Sequence, residues 1–217
     1  MNPSLLDDPR VNSIFPSDVV TRAQEYLRNV KGGLGAYTDS RGSMYVRQEI
    51  ADFITRRDGV PASADKIFVS NGASECVRMF LNCIIRGPKD GIMVPIPQYP
   101  LYSASIALYG GTMVGYYLDE ETTWSLNVNE LQRSLNTARA QGITVRAMVF
   151  INPGNPTGQC LSEENIRDLI RFCHDNHIVL SADEVYQANI YTEKLFVSAR
   201  ATLSKMPEPY RWDMHPP

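Results

Sequence analysis

The sequence holds little of what would place it at a metal, a membrane or a nucleic acid. Histidine occurs only at 174, 177 and 215, a set that forms no ligand cluster, and the four cysteines (Cys76, Cys83, Cys160, Cys173) contain no CxxC pair. A zinc-type centre gathers imidazoles and thiolates at set spacings, so no metal site is expected. Cys76, Cys83 and Cys173 fall in predicted helices among apolar residues and read as buried thiols of a reducing compartment. The formal net charge of -3 gives no electrostatic case for nucleic acid or for an anionic membrane surface. No apolar run approaches the roughly 20 residues that span a bilayer, and the opening MNPSLLDDPR has neither the basic start nor the apolar centre of a signal peptide. Repeats and low-complexity tracts are missing as well. The chain is read as cytoplasmic, with a mitochondrial location kept open.

What is present is alternation. With 217 residues, 43% of them apolar and 21% charged, the chain is long enough for a sizeable core. Strands are predicted at Lys66–Ser70, Ile92–Ile96, Thr112–Tyr117, Val145–Ile151 and Ile178–Ala182. Helices fall between them: one opened by Pro16-Ser17-Asp18 and running to about Val30, one over Met44 to Arg57, and one over Glu75–Arg86. A fourth carries Val128, Leu131, Leu135 and Ala138. A fifth is capped by Ser162 and ends near Asn176. In the second of these, Val46, Ile50, Phe53, Ile54 and Arg57 form a one-sided stripe. Ala147–Ile151 and Ile178–Leu180 are apolar on consecutive residues, the pattern of parallel strands buried on both faces. The fold class is α/β with a mostly parallel sheet. Ligands of such sheets bind beyond the carboxyl ends of the strands.

Three of those ends stand out. Val69-Ser70 runs into Asn71-Gly72-Ala73-Ser74 and then a helix, which leaves N–H groups and a hydroxyl at a helix start, the outline of a phosphate receptor. A tight turn with Ser74 as N-cap fits the same residues. Ile151 runs into INPGNPTGQC, where Asn155 is held between Gly154 and Pro156 and its backbone is restricted; a rigid loop with Asx turns is the alternative. Ala182 runs into Asp183-Glu184-Val185-Tyr186. A carboxylate at a sheet edge is costly unless a cation or several donors face it, although Asp183 also reads as an N-cap. Tyr186 stands three residues on. Together these ends describe a ligand with a phosphate, a protonated ring nitrogen and a hydrogen-bond-accepting oxygen. Pyridoxal 5′-phosphate has all three. No GxxxxGK[ST] run supports a nucleotide instead, and Gly32-Gly33-Leu34-Gly35 follows a helix, not a strand.

The segments GLGAYTDSRGSMYVRQEIADFITRRDG, VSNGASECV, VPIPQYPLYSASIALYGG, VFINPGNPTGQ and ADEVYQ resemble the fold-type I, class I/II pyridoxal-phosphate aminotransferases, the alanine aminotransferase branch in particular. The resemblance spans residues 1 to about 200. It implies a three-layer α/β/α large domain, here incomplete. It also implies amino-group transfer between an amino acid and a 2-oxo acid (alanine, pyruvate, glutamate, 2-oxoglutarate) within a homodimer. Gly72, Ala73 and Ser74 would hold the cofactor phosphate, and Tyr99 would stack on its ring. Asn155 and Tyr186 would bond its phenolic oxygen, and Asp183 its ring nitrogen. Tyr37 would reach the phosphate of a neighbouring subunit. The family also implies a cis bond at Asn155–Pro156.

Measured against that resemblance, the family's Ser-rich segment with the cofactor-bound lysine has no counterpart. The lysines are Lys31, Lys66, Lys89, Lys194 and Lys205, and Lys205, in ATLSKMPEP, fits a surface helix better. Residues 211–217 (RWDMHPP) depart from the family pattern. The resemblance thus divides the chain into an N-terminal helical segment, 1–31, a partial cofactor domain, 32–210, and a divergent tail, 211–217. It leaves two readings open: an aminotransferase domain by descent, or a non-catalytic remnant.

Overall fold

Pro16 cannot continue a helix from its N-terminal side but suits a helix start, and an α-helix follows it in the computed structural model, which describes residues 3–30, 35, 37–191 and 193–210. The tail 211–217, Lys31 and Gly32-Gly33-Leu34 lie outside the described residues. The chain forms two compact units, Met1–Ser70 and Asn71–Pro217.

The first unit holds a short helix α1 (Val11–Ile14), α2 (Ser17–Asn29) and α3 (Met44–Asp58). α3 ends at Gly59, whose φ of 70° is the left-handed conformation that closes helices and favours glycine. The buried residues of α3 are Arg47 and Ala51, while Phe53 of the anticipated stripe is exposed. Arg47 is tolerated inside because its guanidinium donates to the Gly42 carbonyl at 3.0 Å, the Ala64 carbonyl at 2.8 Å and the Asp39 carboxylate at 3.3 Å. The expected strand Lys66–Ser70 does not form. Ala64–Lys66 is a 3-10 turn capped by Ser63. Beyond it the Val69 N–H bonds the Arg41 carbonyl at 2.8 Å, outside any ladder, with Phe68 70% exposed. Extended propensity yields a strand only where a neighbour takes the backbone groups.

The second unit is the parallel sheet. α4 (Ala73–Ile84) leads to β1 (Asp90–Ile96), α5 (Leu101–Leu108), β2 (Thr112–Tyr117), α6 (Val128–Ala140), β3 (Thr144–Ile151), α7 (Glu163–Asp175), β4 (Val179–Asp183) and α8 (Ala199–Ser204). The strand order is β2-β1-β3-β4 and every pairing is parallel. Side chains alternate across the two central strands, as the period of a strand requires. Ile92, Val94, Ala147, Val149 and Ile151 meet Leu81 of α4 and Ile106 of α5 on one face. Met93, Met148 and Phe150 meet Leu131 and Leu135 of α6 and Ile166 and Leu169 of α7 on the other. The layers are therefore α/β/α. Side-chain caps hold the crossover helices: Asn127 accepts from the Asn129 N–H at 2.9 Å, and Ser162, the cap expected from the sequence, from the Asn165 N–H at 3.1 Å. Cys173 is buried in this core, with its thiol pushed up to about 12 by burial. Cys76 and Cys83 are exposed on α4, contrary to the expectation of burial, because they fall on the helix face turned from the sheet.

Candidate functional site

The carboxyl ends of β3 and β4 are tied at one level. Ile151 pairs with Asp183, and the Asn152 N–H donates to the Asp183 carbonyl at 2.8 Å. The loop that follows β3 holds two asparagines with opposite fates. Asn152 is fully buried; its side-chain oxygen accepts the Leu161 N–H at 2.9 Å and its amide donates to the Val197 carbonyl at 3.4 Å. It fastens both ends of the loop to the fold. Asn155 bonds no described residue through its side chain. The loop around it is closed by its own backbone, Gly154 N–H to Gln159 at 2.8 Å and Gly158 N–H to Gly154 at 2.9 Å. The Asn152–Pro153 and Asn155–Pro156 bonds are cis.

At the end of β4, Asp183 turns its carboxylate inward. One oxygen accepts the Val185 N–H at 3.3 Å, and the other accepts the phenol of Tyr102 on α5 at 2.5 Å. No arginine, lysine or histidine among the described residues pairs with it. The next residue, Glu184, points elsewhere and accepts the Ala199 N–H at 2.7 Å at the start of α8. α4 begins at Gly72, whose φ of +95° is open to glycine and strained for most side chains. The N–H groups of Ala73 and Ser74 then open into the space before the helix, since the first N–H groups of a helix find no partner within it. After β1 and the cis Ile96–Pro97 bond, Tyr99 stands half exposed ahead of α5.

Ala73, Ser74, Tyr99, Asn155, Asp183 and Tyr186 line one pocket of about 220 Å³, with Ile151 at its floor. Gly72 sets the turn at its rim. Tyr37 belongs to the first unit and is fully exposed. The hydroxyls of Ser74, Tyr99 and Tyr186 and the amide of Asn155 make no side-chain hydrogen bond to a described residue. The pocket thus offers a cluster of open donors and one carboxylate that no cation among the described residues faces. None of the described lysines lines it. Lys194 lines a neighbouring hollow with Cys160 and Tyr191, and Lys205 pairs with Glu163 at 3.1 Å on the surface. Sequence reasoning missed Tyr102, which was not singled out within VPIPQYPLYSASIALYGG. Its signal was there, for a tyrosine inside an apolar helix face must find an acceptor for its hydroxyl.

Residues 7–211 match the family model described as aminotransferase class I and II. The chain is 60% identical over 208 residues to glutamate–glyoxylate aminotransferase 2 of Arabidopsis thaliana, covering 95% of this chain and 43% of that protein. It is 53% identical over 193 residues to alanine aminotransferase 2 of Panicum miliaceum, covering 88% and 40%. Among solved structures it superposes on an alanine aminotransferase from Pyrococcus furiosus with a TM-score of 0.70 at 27% identity, over 82% of this chain and 43% of that one. The chain spans less than half the length of these relatives.

Proposed function

The chain belongs to the class I and II aminotransferases, and from that membership we propose that its pocket binds pyridoxal 5′-phosphate for amino-group transfer between an amino acid and a 2-oxo acid. The observation that carries this reading is the Asp183 carboxylate, set among open donors and facing no cation among the described residues. A half-buried anion left in that state suits a cationic ligand, and the protonated pyridine of this cofactor is one. The other groups fit the rest of the molecule. The Ala73 and Ser74 N–H groups and the Ser74 hydroxyl, at the start of a twelve-residue helix, suit its phosphate. The Tyr99 ring suits its flat face. The Asn155 amide and the Tyr186 hydroxyl suit its phenolic oxygen.

When bound, the cofactor supplies an electron-withdrawing ring, and the protein's part is to bind and orient it. In this reading Asp183 keeps the ring nitrogen protonated, and each pKa unit of that preference is worth about 1.4 kcal/mol. Asn155 and Tyr186 fix the ring's angle against the loop that Asn152 fastens. Gly72, Ala73 and Ser74 anchor its far end. Tyr37 completes the phosphate site of a second copy in a homodimer. Alanine, pyruvate, glutamate and 2-oxoglutarate are the proposed substrates, consistent with relatives named for alanine and for glutamate and glyoxylate. Because no described lysine lines the pocket, these residues hold the cofactor without a covalent bond and do not transaminate by themselves.

Titrating the chain with pyridoxal phosphate and following the cofactor's absorbance tests the reading. Saturable binding that Asp183→Asn weakens about a hundredfold is expected. Binding that is unchanged in that variant would overturn the proposed role of Asp183, and no binding at all would overturn the site.

A further inference from the structure

Resting on that reading, we propose that Tyr102 is a positioning residue for Asp183, one that aims its carboxylate into the pocket. Tyr102 is 1% exposed and lies in the apolar cluster with Leu81, Ile106 and Val149. A phenol so placed has one proton to give and needs an acceptor. The acceptor it has is the Asp183 carboxylate, reached from α5 across the sheet face. Tyr102 itself lies outside the pocket lining, so it acts through Asp183 and not on a ligand.

Two neutral donors, the Tyr102 hydroxyl and the Val185 N–H, therefore hold the two carboxylate oxygens. Both donors are neutral, so neither cancels the carboxylate charge. The carboxylate is fixed in direction and still available to a cation. The phenol is pushed well above its ordinary value, by burial first and then by the Asp183 carboxylate, so it stays a donor throughout the neutral range. The other titratable groups nearby are Tyr99 and Tyr186 in the pocket, Tyr116 against Tyr102, and Glu184, which is turned to α8.

The test compares the full chain with Tyr102→Phe, which keeps the buried ring and removes only the hydroxyl. The dissociation constant of pyridoxal phosphate is measured for the parent chain, Tyr102→Phe, Asp183→Asn and the double variant. Tyr102→Phe is expected to weaken binding about fivefold in the parent background and to have no further effect in the Asp183→Asn background, because it acts through that carboxylate. Unchanged affinity in Tyr102→Phe, or the same factor of weakening in both backgrounds, would overturn the proposal, the second because it marks a packing role alone. Absence of binding by the parent chain would overturn the site reading, and a readout without cofactor then decides the role of Tyr102. In chains labelled with carboxyl-13C aspartate, the resonance lost in Asp183→Asn is expected to move in Tyr102→Phe at about pH 8, where the carboxylate loses a hydrogen-bond donor. If it stays in place, Tyr102 has no such role whatever the cofactor does.

Discussion

Two aspartates stand at opposite ends of the same sheet. Asp90 opens β1 at the amino-terminal side, and Asp183 closes β4 at the carboxyl-terminal side. Asp90 is answered by the chain itself: Arg146 bonds it at 2.6 Å, the Arg86 N–H at 2.9 Å and the Arg86 guanidinium at 3.4 Å. Its carboxyl is held at about 2, below the usual carboxylate range, by Arg146 first and the Arg86 backbone next. Asp183 has two neutral donors and no cation among the described residues. The first is an anion closed into the structure. The second is an anion left for something else to answer, and the difference separates a structural charge from a binding one more clearly than burial does. The two asparagines of INPGNPTGQC repeat the lesson on a smaller scale, Asn152 spent on the fold and Asn155 open to the pocket.

The largest effect should come from Asp183→Asn, which removes the unanswered charge: about a hundredfold loss of pyridoxal phosphate affinity, with the urea midpoint little moved. Asp90→Asn should do the reverse, costing roughly 1–2 kcal/mol of stability in urea unfolding and leaving cofactor affinity intact. Asp90 also sharpens the contrast with pH. Its folded-state pKa of about 2 lies below the unfolded value. Its contribution is therefore full above the unfolded value, near pH 4, and is lost as the pH falls toward 2. Stability measured across that window should fall less steeply in Asp90→Asn than in the parent chain. Ser74→Ala should lower cofactor affinity by about fivefold, the worth of one donor to a phosphate. The smallest effect is expected from borohydride reduction of the chain with pyridoxal phosphate: mass spectrometry should find no stoichiometric pyridoxyl adduct on any single lysine. A specific adduct would mean that an amine reaches the pocket after all.

The sheet was legible because its signal is redundant. Runs such as Ala147–Ile151 announce burial on both faces, and Ser162 marks a helix start through a local hydrogen bond that needs no distant partner. Lys66–Ser70 carries equally strong β propensity and forms no strand, since a ladder depends on a neighbour that local sequence does not specify. Arg47 was invisible inside α3 for a similar reason, its acceptors being the carbonyls of residues 42 and 64 and the carboxylate of Asp39. In the pocket, Asn155, Asp183 and Tyr186 could be read because they stand at or shortly beyond the ends of recognisable strands. Tyr102 could not, for its partner lies 81 residues away along the chain, and only the fold shows that a phenol on a helix meets an acid at a strand end.

The Asn152 N–H bond to the Asp183 carbonyl makes the two loop roots one mechanical part. Thermal sliding of one strand against its neighbour would carry the Asn155 loop and the acid in the same direction, so their spacing resists drift as a caliper's jaws do. A molecule gripped by both would feel a constant angle even while the surrounding helices breathe.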